Sequence, residues 1–148
     1  MATTYYSTEI TRGDQPRYVE SGDFTVWGTF SLTAALVIND VIQMCKVPNG
    51  ARILNIDLYC DDLDTNGTPL IALDVGDGGS VNRFAQAVLI AENGGIMRGI
   101  QTKAGFGYQY SLAANTGYDT IDIKVNTAPA TGATTGDIKM RVTMCVDC

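Results

Sequence analysis

From Phe24 onward the chain is a succession of short runs in which alternate residues are apolar, each run cut off by Gly, Asn, Asp or Pro. A side-chain period of two belongs to strands with one buried and one wet face, and short strands between frequent turn signals belong to a sandwich or barrel. The clearest run is residues 51–60, where Leu54, Ile56 and Leu58 alternate with Asn55 and Asp57. Ile121, Ile123 and Val125 alternate with Asp122 and Lys124 in the same way. Near the C-terminus, Ile138, Met140, Val142, Met144 and Val146 alternate with Lys139, Arg141 and Thr143.

The same reasoning predicts a strand over residues 24–33 that turns Phe24, Val26, Phe30 and Leu32 to one face, with Gly28 marking a bulge. It predicts another over 41–47, closed by the turn residues Pro48, Asn49 and Gly50. Residues 68–76 follow the Asn66-Gly67 turn signal, and 95–102 and 106–112 are also strand-like. Residues 77–95 fit a turn of helix or a strand equally well. The predicted fold is therefore all-β: an antiparallel β-sandwich, jelly-roll-like, of about eight strands. Residues 1–22 are polar, lack a sustained period and carry Arg12, Gly13, Asp14 and Pro16, so they are expected to form an extended N-terminal arm. The arm's Tyr5, Tyr6 and Tyr18 can pack on their own domain or reach a neighbour. Residues 23–148 are expected to form one domain.

At 148 residues a real core is possible without staples. The net charge of −6 offers no counterion-release drive toward a phosphate backbone, so nucleic acid is not an expected partner. No apolar stretch is long enough to span a bilayer, and residues 1–20 do not read as a secretory signal, so a soluble chain made in the cytosol is expected, with no membrane partner. Cys45, Cys60, Cys145 and Cys148 read as thiols first, free or oxidised between subunits.

Several motifs invite a chemical reading. Asp62, Asp64, Asn66 and Gly67 match the opening of a calcium loop, but the twelfth position, which should be a bidentate Glu, is Leu73. Asp62, Asp64 and Asn66 are thus weak metal candidates, and a plain inter-strand loop is the expected reading. Cys145 and Cys148 have zinc-knuckle spacing, but a four-Cys site would need Cys45 and Cys60 to converge on them. The sequence has no histidine, which removes Ser-His-Asp and Cys-His nucleophile activation. Asp57, Asp61, Asp62, Asp64, Asp74 and Asp77 could supply paired carboxylates only if two met in a cleft. Gly76-Asp77-Gly78-Gly79-Ser80 has the composition of a phosphate loop, but Asp77 would repel phosphate. No catalytic residue and no cofactor is expected, and the chain reads as a non-enzyme. Trp27 and the tyrosines read as packing or interface aromatics, with a carbohydrate platform as the alternative.

The runs Val47-Pro48-Asn49-Gly50-Ala51-Arg52-Ile53-Leu54 and Asp62-Leu63-Asp64-Thr65-Asn66-Gly67-Thr68-Pro69 stand in a fixed order with Leu73-Asp74-Val75-Gly76-Asp77 and Asn82-Arg83-Phe84. Together with the final strand from Thr135 to Val142, this arrangement resembles the head decoration (cement) proteins and related capsid-associated structural proteins of tailed bacteriophages. The resemblance implies a β-sandwich that forms homotrimers on the virion's capsid exterior and ties neighbouring major capsid protein subunits together. Tyr5, Tyr6, Tyr18 and Trp27 are the contact residues this role suggests. The alternative is a tail or host-recognition β-sandwich that binds a surface glycan.

Overall fold

The structure is a computed structural model that describes residues 2–13, 15, 22–110 and 118–146. Its strands are β1 (Thr4–Tyr6), β2 (Gly22–Ser31), β3 (Val41–Pro48), β4 (Ala51–Cys60), β5 (Ala72–Gly76), β6 (Ala85–Val88), β7 (Gly95–Met97), β8 (Tyr118–Thr127) and β9 (Asp137–Val146). A one-turn helix, α1 (Thr8–Arg12), follows β1, and a single 3₁₀ turn spans Ile90–Glu92. Among the described residues no helix is long and apolar enough to cross a membrane.

The strands form two sheets, β2-β9-β4-β7 and β1-β3-β8-β5-β6. Within β2 to β9 the pairing is nested: β2 with β9, β3 with β8, β4 with β7 and β5 with β6, all antiparallel. Nested pairing folds one long hairpin over on itself into two facing sheets, which is the jelly roll expected from the alternation. The inward residues of the two central strands, Ile138, Met140, Val142 and Met144 of β9 and Ile121, Ile123 and Val125 of β8, are fully buried. They meet across the core and supply its main apolar mass.

Strand β4 departs from simple alternation. Its register against β9 shifts between Ile53 and Asn55, so Leu54 is the extra residue of a β-bulge and is 40% exposed, while Ile53, Ile56 and Leu58 are buried. A bulge resets which face each residue takes, which is why Leu54 does not share a face with Ile56 as the uninterrupted pattern implied. The open segment 77–95 resolves into a loop, the short strand β6 and the 3₁₀ turn. Residues 95–102 are strand only to Met97, and the described part of 106–112 is held by one isolated bridge, Arg52 to Gln109. In the segment 68–76, only Ala72–Gly76 is strand, because the residues before it serve the loop described below.

The first residues lie against the body of the fold. β1 pairs in parallel with β3, and Thr3 N–H donates to Asp40 Oδ1 at 2.7 Å. Ser7 caps α1 by accepting from Ile10 N–H, and its hydroxyl donates to the Met44 carbonyl at 2.7 Å. Gln15 is 6% exposed and spans the gap between the sheets: its Nε2 donates to Trp27 O at 2.7 Å and Met44 O at 3.0 Å, while its Oε1 accepts from Lys46 N–H. Met44 is the residue skipped where β3 slips against β8, so its carbonyl is turned out of that ladder and needs these donors.

Gly28 serves the same corner. β2 pairs with β9 in unbroken register from Gly22 to Ser31, so Gly28 does not mark the expected bulge. It is glycine because a Cβ there would stand 2.2 Å from the Met44 carbonyl oxygen. Gly28→Ala must push the two sheets apart at this edge and is expected to lower unfolding free energy by about 2 kcal/mol or more in urea titration. A midpoint equal to wild type would show that this close approach is not needed.

Candidate functional site

The outer face of the β2-β9-β4-β7 sheet carries aromatic and cationic side chains in cross-strand rows. One row is Trp27, Arg141 and Asp57, which are register partners across β2, β9 and β4. The next is Lys139, Tyr59 and Ile96 across β9, β4 and β7. These residues, with Arg98, line a groove of about 240 Å³. Trp27 is 52% and Ile96 61% exposed, large values for apolar side chains of a sheet face.

The groove is held by its own polar contacts. Asp57 accepts from Arg141 Nε at 3.0 Å and Nη2, from Gly99 N–H at 3.0 Å and from Asn55 Nδ2 at 3.1 Å. Burial pushes the Asp57 carboxyl up, but these donors outweigh it and leave the group below the ordinary carboxylate range. Anchored in this way, the Arg141 guanidinium lies 5.4 Å over the Trp27 ring, and Lys139 lies 5.4 Å over the Tyr59 ring. Tyr59 in turn donates its hydroxyl to Asp61 at 2.5 Å.

Of the aromatics singled out from sequence, Trp27 stands in this groove and Tyr6 is 51% exposed on β1. Tyr5 packs against the core, its ring 5.2 Å from that of Phe30. Tyr18 lies outside the described residues. The sequence does not link Trp27 to its groove partners, because they stand on β4, β7 and β9, far from it along the chain. Only the register brings them together.

The calcium-like loop is organised by its own carboxylate. Asp64, 1% exposed, accepts backbone N–H bonds from Asn66, Leu70, Ile71, Ala130 and Thr131. Burial raises this carboxyl, but the backbone donors of Leu70, Thr131, Ala130 and Asn66 overcome that and hold it far below the usual range. Asp62 Oδ1 accepts from Asp64 N–H, and Asn66 Oδ1 from Thr68 N–H, so Asp62, Asp64 and Asn66 form a chain of side-chain turns. The oxygens that a cation would take are given to N–H groups that join the β4–β5 loop to the β8–β9 loop.

Asp77 plays the equivalent part in the Gly-rich loop. Its carboxylate accepts from Gly79 and Ser80 N–H, from Arg83 Nε at 2.6 Å and from the Tyr110 hydroxyl at 2.8 Å. The loop that resembles a phosphate cradle is filled by its own anion. Arg83 also lies 3.8 Å over the Tyr108 ring, so this cluster ties residues 77–83 to 108–110. Asp74 accepts from Asn126 Nδ2 and Ala87 N–H. Cys45 and Cys60 are buried free thiols, with burial raising the Cys60 thiol to about 12. Cys145 is disulfide-bonded rather than the thiol first expected, and Cys148 lies outside the described residues.

The opposite sheet is unlike the groove face. Its outward residues Lys46, Asp74 and Thr120 are buried, and Asp122 Oδ1 is buried with no hydrogen-bond partner among the described residues. Burial pushes the Asp122 carboxyl up to about 7, with the Thr120 side chain opposing and Asp119 and Asp77 adding to the rise.

No protein-family model and no curated protein matches the chain. Solved structures do. A chain in the capsid of Ralstonia phage GP4 superposes with a TM-score of 0.79 at 25% identity, covering 98% of this chain and 99% of that one. A chain in the capsid asymmetric unit of cyanophage Pam1 superposes with a TM-score of 0.69 at 28% identity, covering 88% of this chain and 90% of that one. The chain is similar, nearly end to end, to proteins of phage capsids. The match in length means that the jelly roll and the N-terminal residues together correspond to the GP4 capsid chain.

Asp122 makes the fold sensitive to pH. A folded chain that keeps a proton up to about pH 7 while the unfolded chain gives it up near pH 4 loses stability as pH rises through that window. Asp122→Asn is expected to flatten melting temperature against pH between about 5 and 7 and to raise stability at about pH 8 by 1 kcal/mol or so. An unchanged slope would contradict this account of Asp122.

Proposed function

We propose that the chain is a virion structural protein that binds the outside of a phage capsid and bridges neighbouring major capsid protein subunits, as a homotrimer. The single observation that carries this reading is the full-length likeness to a chain in the GP4 capsid. The internal chemistry agrees with it. Asp57, Asp64, Asp74 and Asp77, the carboxylates that an enzyme would use, hold loops and strands together, which suits a rigid structural element rather than a catalyst.

A protein that binds only the assembled shell stabilises it by mass action, because every bound copy must leave before the seam beneath it can open. Rigidity helps, since a preformed surface loses little conformational freedom on docking. Tyr6 and Trp27 supply exposed aromatic area of the kind that dominates protein interfaces. The position of Arg141 over the Trp27 ring, where a sugar would stack, favours protein contact over glycan binding.

Quantitative mass spectrometry of purified particles tests the proposal. The chain is expected at a copy number comparable to that of the major capsid protein. A few copies per particle, or none, would overturn the reading.

A further inference from the structure

Residues 3–13, with Gln15, form a strap against the edges of β2 and β3 that is held chiefly by hydrogen bonds. Thr3 N–H donates to Asp40 Oδ1, its carbonyl accepts from Val41 N–H, and Ser7 N–H donates to Gln43 O. Further along, Ser7 and Gln15 donate to Met44 O, Gln15 also bonds Trp27 O and Lys46 N–H, and Glu9 Oε2 accepts from Thr29 N–H at 2.6 Å. The apolar side of this contact is thin. The buried residues of the described strap, Ser7 and Gln15, are both polar, α1 buries none of its residues, and Tyr5, against Phe30, is only partly buried.

A buried free thiol stands beneath it. Cys45 lies between Met44 and Lys46, whose backbone groups Ser7 and Gln15 hold, and its Sγ is 3.9 Å from Val26 O of β2. Burial pushes the Cys45 thiol up, and the nearby Glu9 carboxylate adds to the rise. The other buried free thiol, Cys60, is on β4, two strands from β2 within the opposite sheet.

We propose that the strap is a separately opening unit: it unseats from β2 and β3 while the two-sheet body stays folded, and so bares Cys45 and the backbone groups of Trp27, Thr29 and Lys46. Water takes the place of the strap's hydrogen bonds when it leaves, so they add little net stability, whereas parting the β8 and β9 faces exposes the apolar core. Regions with few buried apolar contacts open at lower free energy than the core. The bared groups lie on strand edges to which an extended segment can pair, and the seated strap guards them.

The test is N-ethylmaleimide modification of the full chain at about pH 8 and increasing urea, with peptide mass spectrometry reading each cysteine separately. In wild type, Cys45 is expected to react below the unfolding transition with a urea dependence much shallower than that of global unfolding, because little surface is exposed. Gln15→Ala, which removes three hydrogen bonds, is expected to speed Cys45 modification about tenfold or more with the shallow dependence retained. Val75→Ala, a buried change on β5 with β8 between it and β3, is expected to lower the melting temperature yet leave the Cys45 rate within about twofold of wild type. Three results would each overturn the inference: Cys45 modified only within the global transition, a Cys45 rate that rises in step with the stability lost in Val75→Ala, or a Gln15→Ala rate equal to wild type. The first two need no strap variant, so they decide even if Gln15→Ala does not fold.

Discussion

The Met44 carbonyl is the point on which the two sheets close. The slip between Gln43 and Cys45 turns it out of the β3–β8 ladder, and a buried carbonyl without a donor costs about 1–3 kcal/mol. Ser7 and Gln15 supply the donors, and Gly28 lets the backbone of β2 come close beside it. Because Gln15 also bonds Trp27 O and Lys46 N–H, one side chain joins the edge of each sheet. The described part of the N-terminal segment is thereby packed on the sandwich. It also covers an edge that would otherwise be open: Glu9 accepts from Thr29 N–H of β2, and β1 lies along β3.

Much of the fold was legible in the sequence because the long strands are half-buried. Ile121, Ile123 and Val125, and Ile138 to Val146, alternate without interruption, and that alternation is what two facing sheets impose. What could not be read was anything fixed by a contact between distant segments. β1 and β6 are too short to show a period, and α1 is a one-turn helix stabilised by its Ser7 cap and by docking rather than by propensity. Leu54 leaves the face that alternation predicts for it because a bulge depends on the partner strand and leaves no mark in the strand itself.

The site followed the same division. Trp27 stood out as an aromatic, but its row with Arg141 and Asp57 exists only through register. The loop at Asp62, Asp64 and Asn66 carried a real signal, alternating oxygen donors before a glycine. Such residues also make side-chain turns, and backbone N–H groups of two loops took the oxygens. The glycine-rich stretch was filled by Asp77 in the same manner. A buried carboxylate surrounded by N–H donors is a structural anchor that orders the long loops at the ends of the sheets.

These features describe a rigid body with its polar chemistry directed inward and one sheet face directed outward. The two capsid chains that share its fold and length connect that body to a shell. The most direct test is a cryo-electron microscopy reconstruction of the intact particle. The account predicts density for the jelly roll outside the major capsid shell, with the Trp27 face of the β2-β9-β4-β7 sheet against protein. A particle whose exterior lacks this density, or in which that face is bare to solvent, would contradict it.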